Sequence, residues 1–62
     1  MRRYSLHIAL FKEGYRIDLN FELACKNYEE ANQKAQRYAV IAQSEEQADL
    51  KEIQLREMGG QY

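Results

Sequence analysis

The chain has 62 residues, of which 31% are charged and 45% hydrophobic, and its formal net charge is −1. A chain this short forms one domain, 1–62, with a thin margin of stability. No apolar run reaches the roughly 18–20 residues that cross a bilayer, which excludes a transmembrane protein, and we expect no secretory signal. The single cysteine, Cys25, can form no internal disulfide, which favours a reducing, cytoplasmic location.

Charge is unevenly distributed along the chain. Residues 1–26 carry five basic and three acidic side chains, whereas residues 27–62 carry four basic and seven acidic ones. A DNA-binding protein usually presents a basic stripe, because neutralising phosphates supplies most of its non-specific affinity. No such stripe is visible, so we expect no nucleic-acid partner. The acidic second half is suited instead to a basic protein surface.

Two runs of alternating apolar and polar residues open the chain. The second run is regular over nine residues, with apolar side chains at Tyr15, Ile17, Leu19, Phe21 and Leu23. A period of two predicts a strand with one buried face. Residues 4–11 alternate in the same way, their second face is less charged, and residues 12–14 form a short loop containing glycine. The sequence therefore predicts an antiparallel hairpin whose first strand lies at the centre of the sheet.

A helix is predicted to follow. Asn27 can cap it, and Glu30 stands three residues on, as in a capping box. Alanine and tyrosine then recur at helical spacing on one face: Tyr28, Ala31, Ala35, Tyr38, Ala39 and Ala42. Val40 falls opposite this face and Ile41 lies at its margin. Both are apolar residues that the core of a single chain does not need.

The segment 45–58 is ambiguous between helix and strand. Residues 44–47 look like a helix cap, but a helix here would scatter the apolar residues around its circumference. As a strand, Ile53 and Leu55 alternate with polar neighbours, and a third strand stabilises an otherwise marginal hairpin. We expect a strand at about 50–57. The predicted fold is α+β, a small ββαβ domain with a three-stranded antiparallel-type sheet in the order 2-1-3 and one helix on one face.

Few residues carry obvious chemistry. His7 is the only histidine and shares the polar face of the hairpin with Asp18, Asn20 and Glu22, so a histidine–carboxylate pair is geometrically possible. Most such histidines are ordinary surface residues. No glycine-rich phosphate loop is present, and Asp18 and Glu22 are too far apart along a strand to chelate one metal. We expect no enzyme, no catalytic residue, no metal site and no cofactor.

The leading hypothesis is a non-enzymatic protein-binding module that forms a homodimer. The homodimer is expected because Val40, Ile41 and two sheet edges are left without cover in a chain with a small core. Acidic residues cluster where the helix gives way to the last strand, and complementary charge would bring them onto a basic partner. The residues expected to bind the partner are Glu45, Glu46, Asp49, Glu52 and Val40.

In size, acidity and element order the chain resembles small phage-encoded proteins that block host defence enzymes, such as anti-CRISPR proteins and phage antitoxins. The resemblance rests on no motif. It implies an inhibitor that occupies a basic surface of a host protein. The alternative is a small RNA-binding protein or ribonuclease of a toxin–antitoxin-like system that uses His7, and a third possibility is a structural subunit of a larger complex.

Overall fold

The computed structural model describes residues 1–59. Their elements follow the order β1 (Arg2–Lys12), β2 (Tyr15–Cys25), α1 (Tyr28–Glu46) and β3 (Asp49–Glu57). The three strands form one sheet in the order β2-β1-β3, and β1 pairs antiparallel with both neighbours. The helix packs on one face of this sheet. The predicted α+β architecture, with its ββαβ order and 2-1-3 sheet, is confirmed.

The hairpin between β1 and β2 closes with a two-residue turn. Glu13 and Gly14 have φ angles of 48° and 88°, so both adopt left-handed backbone conformations. Two consecutive residues with positive φ are what a type I′ turn requires, and its twist matches that of the paired strands. Lys12 pairs with Tyr15, so the predicted loop 12–14 is one residue shorter than expected. Open space surrounds Gly14, and its conformation is therefore the reason for glycine at this position.

The central strand β1 is buried on both faces over part of its length. Its side chains facing the helix are fully buried: Tyr4, Leu6, Ile8 and Leu10. Ala9 belongs to the opposite face and is also buried, because it lies between Asp18 of β2 and Glu52 of β3 in the strand register. This burial confirms the central position predicted from the less charged second face of the strand.

The start of α1 follows the predicted cap. The side-chain oxygen of Asn27 accepts a hydrogen bond from the backbone N–H of Glu30 at 2.9 Å. The Glu30 carboxylate in turn accepts one from the backbone N–H of Lys26 at 2.7 Å. These bonds satisfy backbone donors that no helical carbonyl can reach, and the acids of the first turn, Glu29 and Glu30, suit the positive end of the helix dipole.

The position at which α1 ends rules out a second helix in the ambiguous segment 45–58. Residues 44–47 do not start a second helix, because α1 continues to Glu46 and stops at Gln47. Gln47 has a φ of 52°, a left-handed conformation that ends the helix, and its N–H bonds the carbonyl of Gln43. The ambiguous segment is therefore divided between the last helical turn and β3, which begins at Asp49, one residue earlier than expected.

The helix packs on the sheet through alanine side chains. The buried side chains of α1 are Ala31, Ala35, Ala39 and Ala42. Their small volume lets the helix backbone approach the sheet closely, most of all at β3. The buried core contains these alanines and the inner-face side chains of β1. No helix within residues 1–59 has both the length and the apolar character needed to cross a bilayer.

Candidate protein-binding surface

A cleft of about 330 Å³ opens between the helix and strand β2. Its lining residues are Leu19, Phe21, Tyr38, Ile41, Ala42, Glu45 and Glu46, and we call it the α1–β2 cleft. A helix is about 10 Å wide, whereas three strands about 4.8 Å apart present a broader face. The helix lies nearer β3 than β2, so it leaves the inner face of β2 partly uncovered.

The residues that form the walls of the α1–β2 cleft recur at strand spacing on β2 and at helical spacing on α1. Leu19 and Phe21 are two residues apart on β2 and share the face toward the helix. Tyr38 and Ile41 are three apart on α1 and share a side of the helix. The rings of Phe21 and Tyr38 meet edge to face, with centroids 5.0 Å apart and planes at 89°. Their side chains remain 37% and 36% exposed, so the aromatic pair forms an open wall.

Val40 extends this apolar surface around the helix. Val40 is 65% exposed and Ile41 is 55% exposed. Both contribute to a shallow depression with Gln36 and Arg37, and Ile41 also lines the α1–β2 cleft. The prediction that the core does not need Val40 and Ile41 is confirmed.

The four acids expected to bind a partner lie on two different surfaces. Glu45 and Glu46, in the last turn of α1, line the α1–β2 cleft. Asp49 and Glu52 lie on β3, where their register partners are Phe11 and Ala9. Those positions belong to the outer face of the sheet, which is turned away from the helix. The Glu52 carboxylate there accepts a hydrogen bond from the Gln54 side chain at 2.7 Å.

Glu45 and Glu46 are placed unfavourably for the helix itself. The carboxyl end of a helix carries a partial negative charge, which favours basic side chains, and the last turn of α1 contains none. Within residues 1–59 neither carboxylate takes part in an ion pair. The two acids therefore do not stabilise α1, although they lie beside an exposed apolar cleft. Breaks of a local rule of this kind are expected at functional surfaces.

The outer face of the sheet carries a network of charges. Nε2 of His7 lies 2.8 Å from Oδ1 of Asp18, so the histidine–carboxylate pair that the hairpin made possible is formed. Arg16 donates to both oxygens of Asp18, at 2.9 and 3.2 Å. Further along the sheet, Arg3 bonds Glu22 at 2.7 Å. The hydrogen bond from His7, and next that from Arg16, lowers the pKa of Asp18 below its ordinary value of 3.8.

In this network His7 is flanked by amides and shares its carboxylate partner with an arginine. The register neighbours of His7 are Asn20 and Gln54, two uncharged amides. The Asp18 carboxylate that could orient the imidazole also forms an ion pair with Arg16. Cys25 is fully buried, so solvent cannot reach its thiol. In the part of the chain that the structure describes, no group of three or more His, Cys, Asp or Glu side chains could hold a metal ion.

Sequence patterns alone did not show that three residues on the core side of their elements, Leu19, Phe21 and Tyr38, line an open cleft. The alternation of β2 assigns Leu19 and Phe21 to the inner face, and the helical spacing assigns Tyr38 to the alanine face. The available signal was geometric, because one narrow helix cannot cover three strands.

Comparison of the chain with protein-family models, with curated proteins and with solved structures gives no significant match.

Proposed function

We propose that this chain is a non-enzymatic protein-binding module that occupies a basic surface of a partner protein. The observation that supports this proposal is the α1–β2 cleft, in which apolar walls lie beside the carboxylates of Glu45 and Glu46, which form no ion pair with any of residues 1–59. The partner would place an apolar side chain in the cleft and Arg or Lys side chains against the two acids.

The apolar part of the cleft would supply most of the affinity. Burying apolar surface contributes about 25 cal/mol per Å², and Phe21, Tyr38 and Ile41 all remain more than one-third exposed. Tyrosine is among the residues that most often dominate binding energy, because a large ring is combined with a polar hydroxyl. Val40, next to Ile41 on the helix, would widen the contact.

The acidic part would select the partner. Complementary charge raises the association rate and disfavours partners of the wrong sign, and salt screens it over about 8 Å at physiological ionic strength. A basic surface that normally holds nucleic acid fits this description, so binding would compete with the nucleic acid. We therefore propose an inhibitory role of the phage or mobile-element type, acting in the cytoplasm as a homodimer on a host protein.

Comparative capture with two charge-reversed variants tests this function. Glu45→Lys/Glu46→Lys reverses the acids of the cleft, and Asp49→Lys/Glu52→Lys reverses two acids of the outer face. Both change the net charge by the same amount, so non-specific electrostatic capture should respond equally. We expect wild type and the outer-face variant to retain one host protein that the cleft variant loses. Equal retention by all three, or equal loss with both variants, would contradict the proposal.

One observation favours the alternative of an RNA-binding protein or ribonuclease: the 2.8 Å contact between His7 and Asp18. A histidine oriented by a carboxylate can act as a general base. We rank this alternative second because Arg16 shares the same carboxylate. Asp18 and Glu22 on the same face would also repel a phosphate backbone.

A further inference from the structure

Strand β2 has an uncovered edge that can accept another strand. It is 11 residues long and lies at one side of the sheet, with β1 as its neighbour. Its pairing with β1 is continuous from Tyr15 to Cys25, without a bulge. Within residues 1–59 no strand pairs with the backbone N–H and C=O groups along its other side, so they form a regular row that is a template for a further strand.

The opposite edge of the sheet is protected. The register of β3 against β1 shifts between Ala9 and Leu10, so Lys51 is an extra residue on β3. Its ammonium lies 5.9 Å from the centre of the Phe11 ring. A bulge and a lysine are two features by which natural sheets block pairing at an edge. The two edges differ in this respect, and β2 is the one left available.

We propose that two copies of this chain pair through β2, antiparallel and centred on Leu19, to form one six-stranded sheet. This rests on the homodimer proposed above and not on the basic partner. In this register Arg16 lies opposite Glu22 of the second copy, and Asp18 lies opposite Asn20. The two-fold symmetry repeats each pair, so every charged position between 16 and 22 meets an opposite charge or an amide.

Neighbouring registers lose this complementarity. Pairing centred on Asn20 would place Asp18 opposite Glu22, and pairing centred on Asp18 would place that acid opposite its own copy. Like charges directly opposite one another are destabilising. A shift by a single position would move every side chain of one copy to the other face of the sheet. Among registers that pair nine or more residues of β2, only the one centred on Leu19 places opposite charges opposite one another, so the charges favour it.

The pairing would also extend the intrachain charge network. Arg3 already bonds Glu22 at 2.7 Å, and Arg16 already bonds Asp18 at 2.9 Å. Placing Glu22 of one copy beside Arg16 of the other joins these pairs into a row of alternating charge across the interface. Such a network is more stabilising than the same pairs separately.

On the inner face the same register would cover apolar side chains. Leu19 meets its own copy, Ile17 meets Phe21, and Tyr15 meets Leu23. Nine paired residues extend about 30 Å, and a sheet layer and a helix layer are each about 10 Å thick. A band about 30 Å long and about 20 Å deep has an area of about 600 Å² per partner, at the lower end of the range of about 600–1,000 Å² that stable interfaces bury. The exposed ring of Tyr15 and the wall formed by Phe21 would gain cover.

This arrangement would place both helices on the same side of the six-stranded sheet, because paired residues share a face. The two α1–β2 clefts would then lie side by side around the two-fold axis. Glu45 and Glu46 of both copies would border one continuous apolar surface, so the dimer would present twice the negative charge to a basic partner.

Light scattering after size exclusion, on the purified chain alone, tests whether the dimer forms. We expect a mass about twice the 7.4 kDa of one chain at micromolar concentration. Arg16→Glu and Glu22→Arg should each give monomers, because each places like charges opposite one another. An equimolar mixture should recover the dimer, since the two variants are complementary, and this recovery shows that both are folded. A monomeric wild type, or a mixture that stays monomeric, overturns the proposal.

Cysteine cross-linking tests the register. Opposed residues in antiparallel strands have Cα atoms about 4.5–5.5 Å apart, within disulfide range. Leu19→Cys should therefore cross-link to its own copy on oxidation. Ile17→Cys should not, because the two positions would be about 13 Å apart along the strands. A dimer by mass in which Ile17→Cys cross-links, or Leu19→Cys does not, overturns the β2 register and leaves the homodimer itself standing.

Discussion

Phe21 on β2 and Tyr38 on α1 meet edge to face with ring centroids 5.0 Å apart, yet neither ring is buried. Aromatic pairs of this geometry are worth about 0.5–1.5 kcal/mol beyond the area they bury. This pair therefore links the helix to the edge strand while leaving apolar surface open to a partner. It is the structural basis of the α1–β2 cleft.

Tyr38→Ala should weaken both folding and partner capture. Loss of the ring removes the contact with Phe21 and one wall of the cleft, and we expect the free energy of unfolding to fall by about 1–3 kcal/mol. Tyr38→Phe keeps the ring and should preserve the fold. Urea unfolding measures the first effect, and capture from host extract measures the second. A Tyr38→Ala variant that remains folded and still captures the partner as well as wild type would show that this wall is not used.

Tyr4→Phe should leave stability unchanged or raise it by up to about 1 kcal/mol. Tyr4 is fully buried, and its hydroxyl has no hydrogen-bond partner among residues 1–59. Burying a hydroxyl without a partner is costly, whereas the ring alone retains its edge contact with Tyr28 at 6.1 Å between centroids. Urea unfolding of the two proteins is the test. A loss greater than about 1 kcal/mol would show that the hydroxyl forms a stabilising hydrogen bond.

Asp18 should make the fold sensitive to acid. Hydrogen bonds from His7 and then Arg16 lower its pKa from 3.8 in the folded chain, so the unfolded chain binds the proton more readily. The stability supplied by this carboxylate is present above pH 3.8 and is lost as the pH falls through the lower, folded-state pKa. Thermal unfolding at about pH 6 and about pH 3 should show a smaller difference for Asp18→Asn than for wild type.

The matched control for this experiment is Asp49→Asn, which removes another exposed acid from the sheet. It should leave the dependence of unfolding on pH close to that of wild type. An equal reduction in both variants would trace the acid sensitivity to net charge rather than to the contact between His7 and Asp18.

The chain should cleave neither RNA nor DNA. Asp18 is shared between His7 and Arg16, and the register neighbours of the imidazole are amides. Incubation with labelled RNA and DNA, with and without divalent cations, measures this directly. Cleavage that disappears in His7→Ala would refute the non-enzymatic proposal and favour the ribonuclease alternative.

Local patterns were sufficient to predict the elements of this fold. The alternation from Tyr15 to Leu23 and the Asn27 cap depend on neighbours within a few residues, so both could be recognised directly in the sequence. The antiparallel order of the sheet then followed from the short hairpin and the crossover through the helix. The positive φ of Glu13 was not visible, because only glycine signals that conformation reliably.

The division of the acidic cluster could not be predicted from sequence, because it depends on where the helix ends. Gln47 stops α1 immediately after Glu46, which leaves Glu45 and Glu46 beside the cleft. Asp49 and Glu52 are three apart, yet both share the outer face with Phe11 and Ala9 because a bulge intervenes. The spacing of these acids along the sequence reveals neither the end of the helix nor the bulge.

The association rate of the captured partner tests the central claim most directly. It should be measured for wild type, Glu45→Lys/Glu46→Lys and Asp49→Lys/Glu52→Lys as salt is raised from about 0.05 to about 0.5 M. We expect the cleft variant to associate about three- to tenfold more slowly than wild type at low salt, and the outer-face variant to stay near wild type. Added salt should slow the association of wild type. Equal rates for all three proteins, with no response to salt, would contradict the central claim.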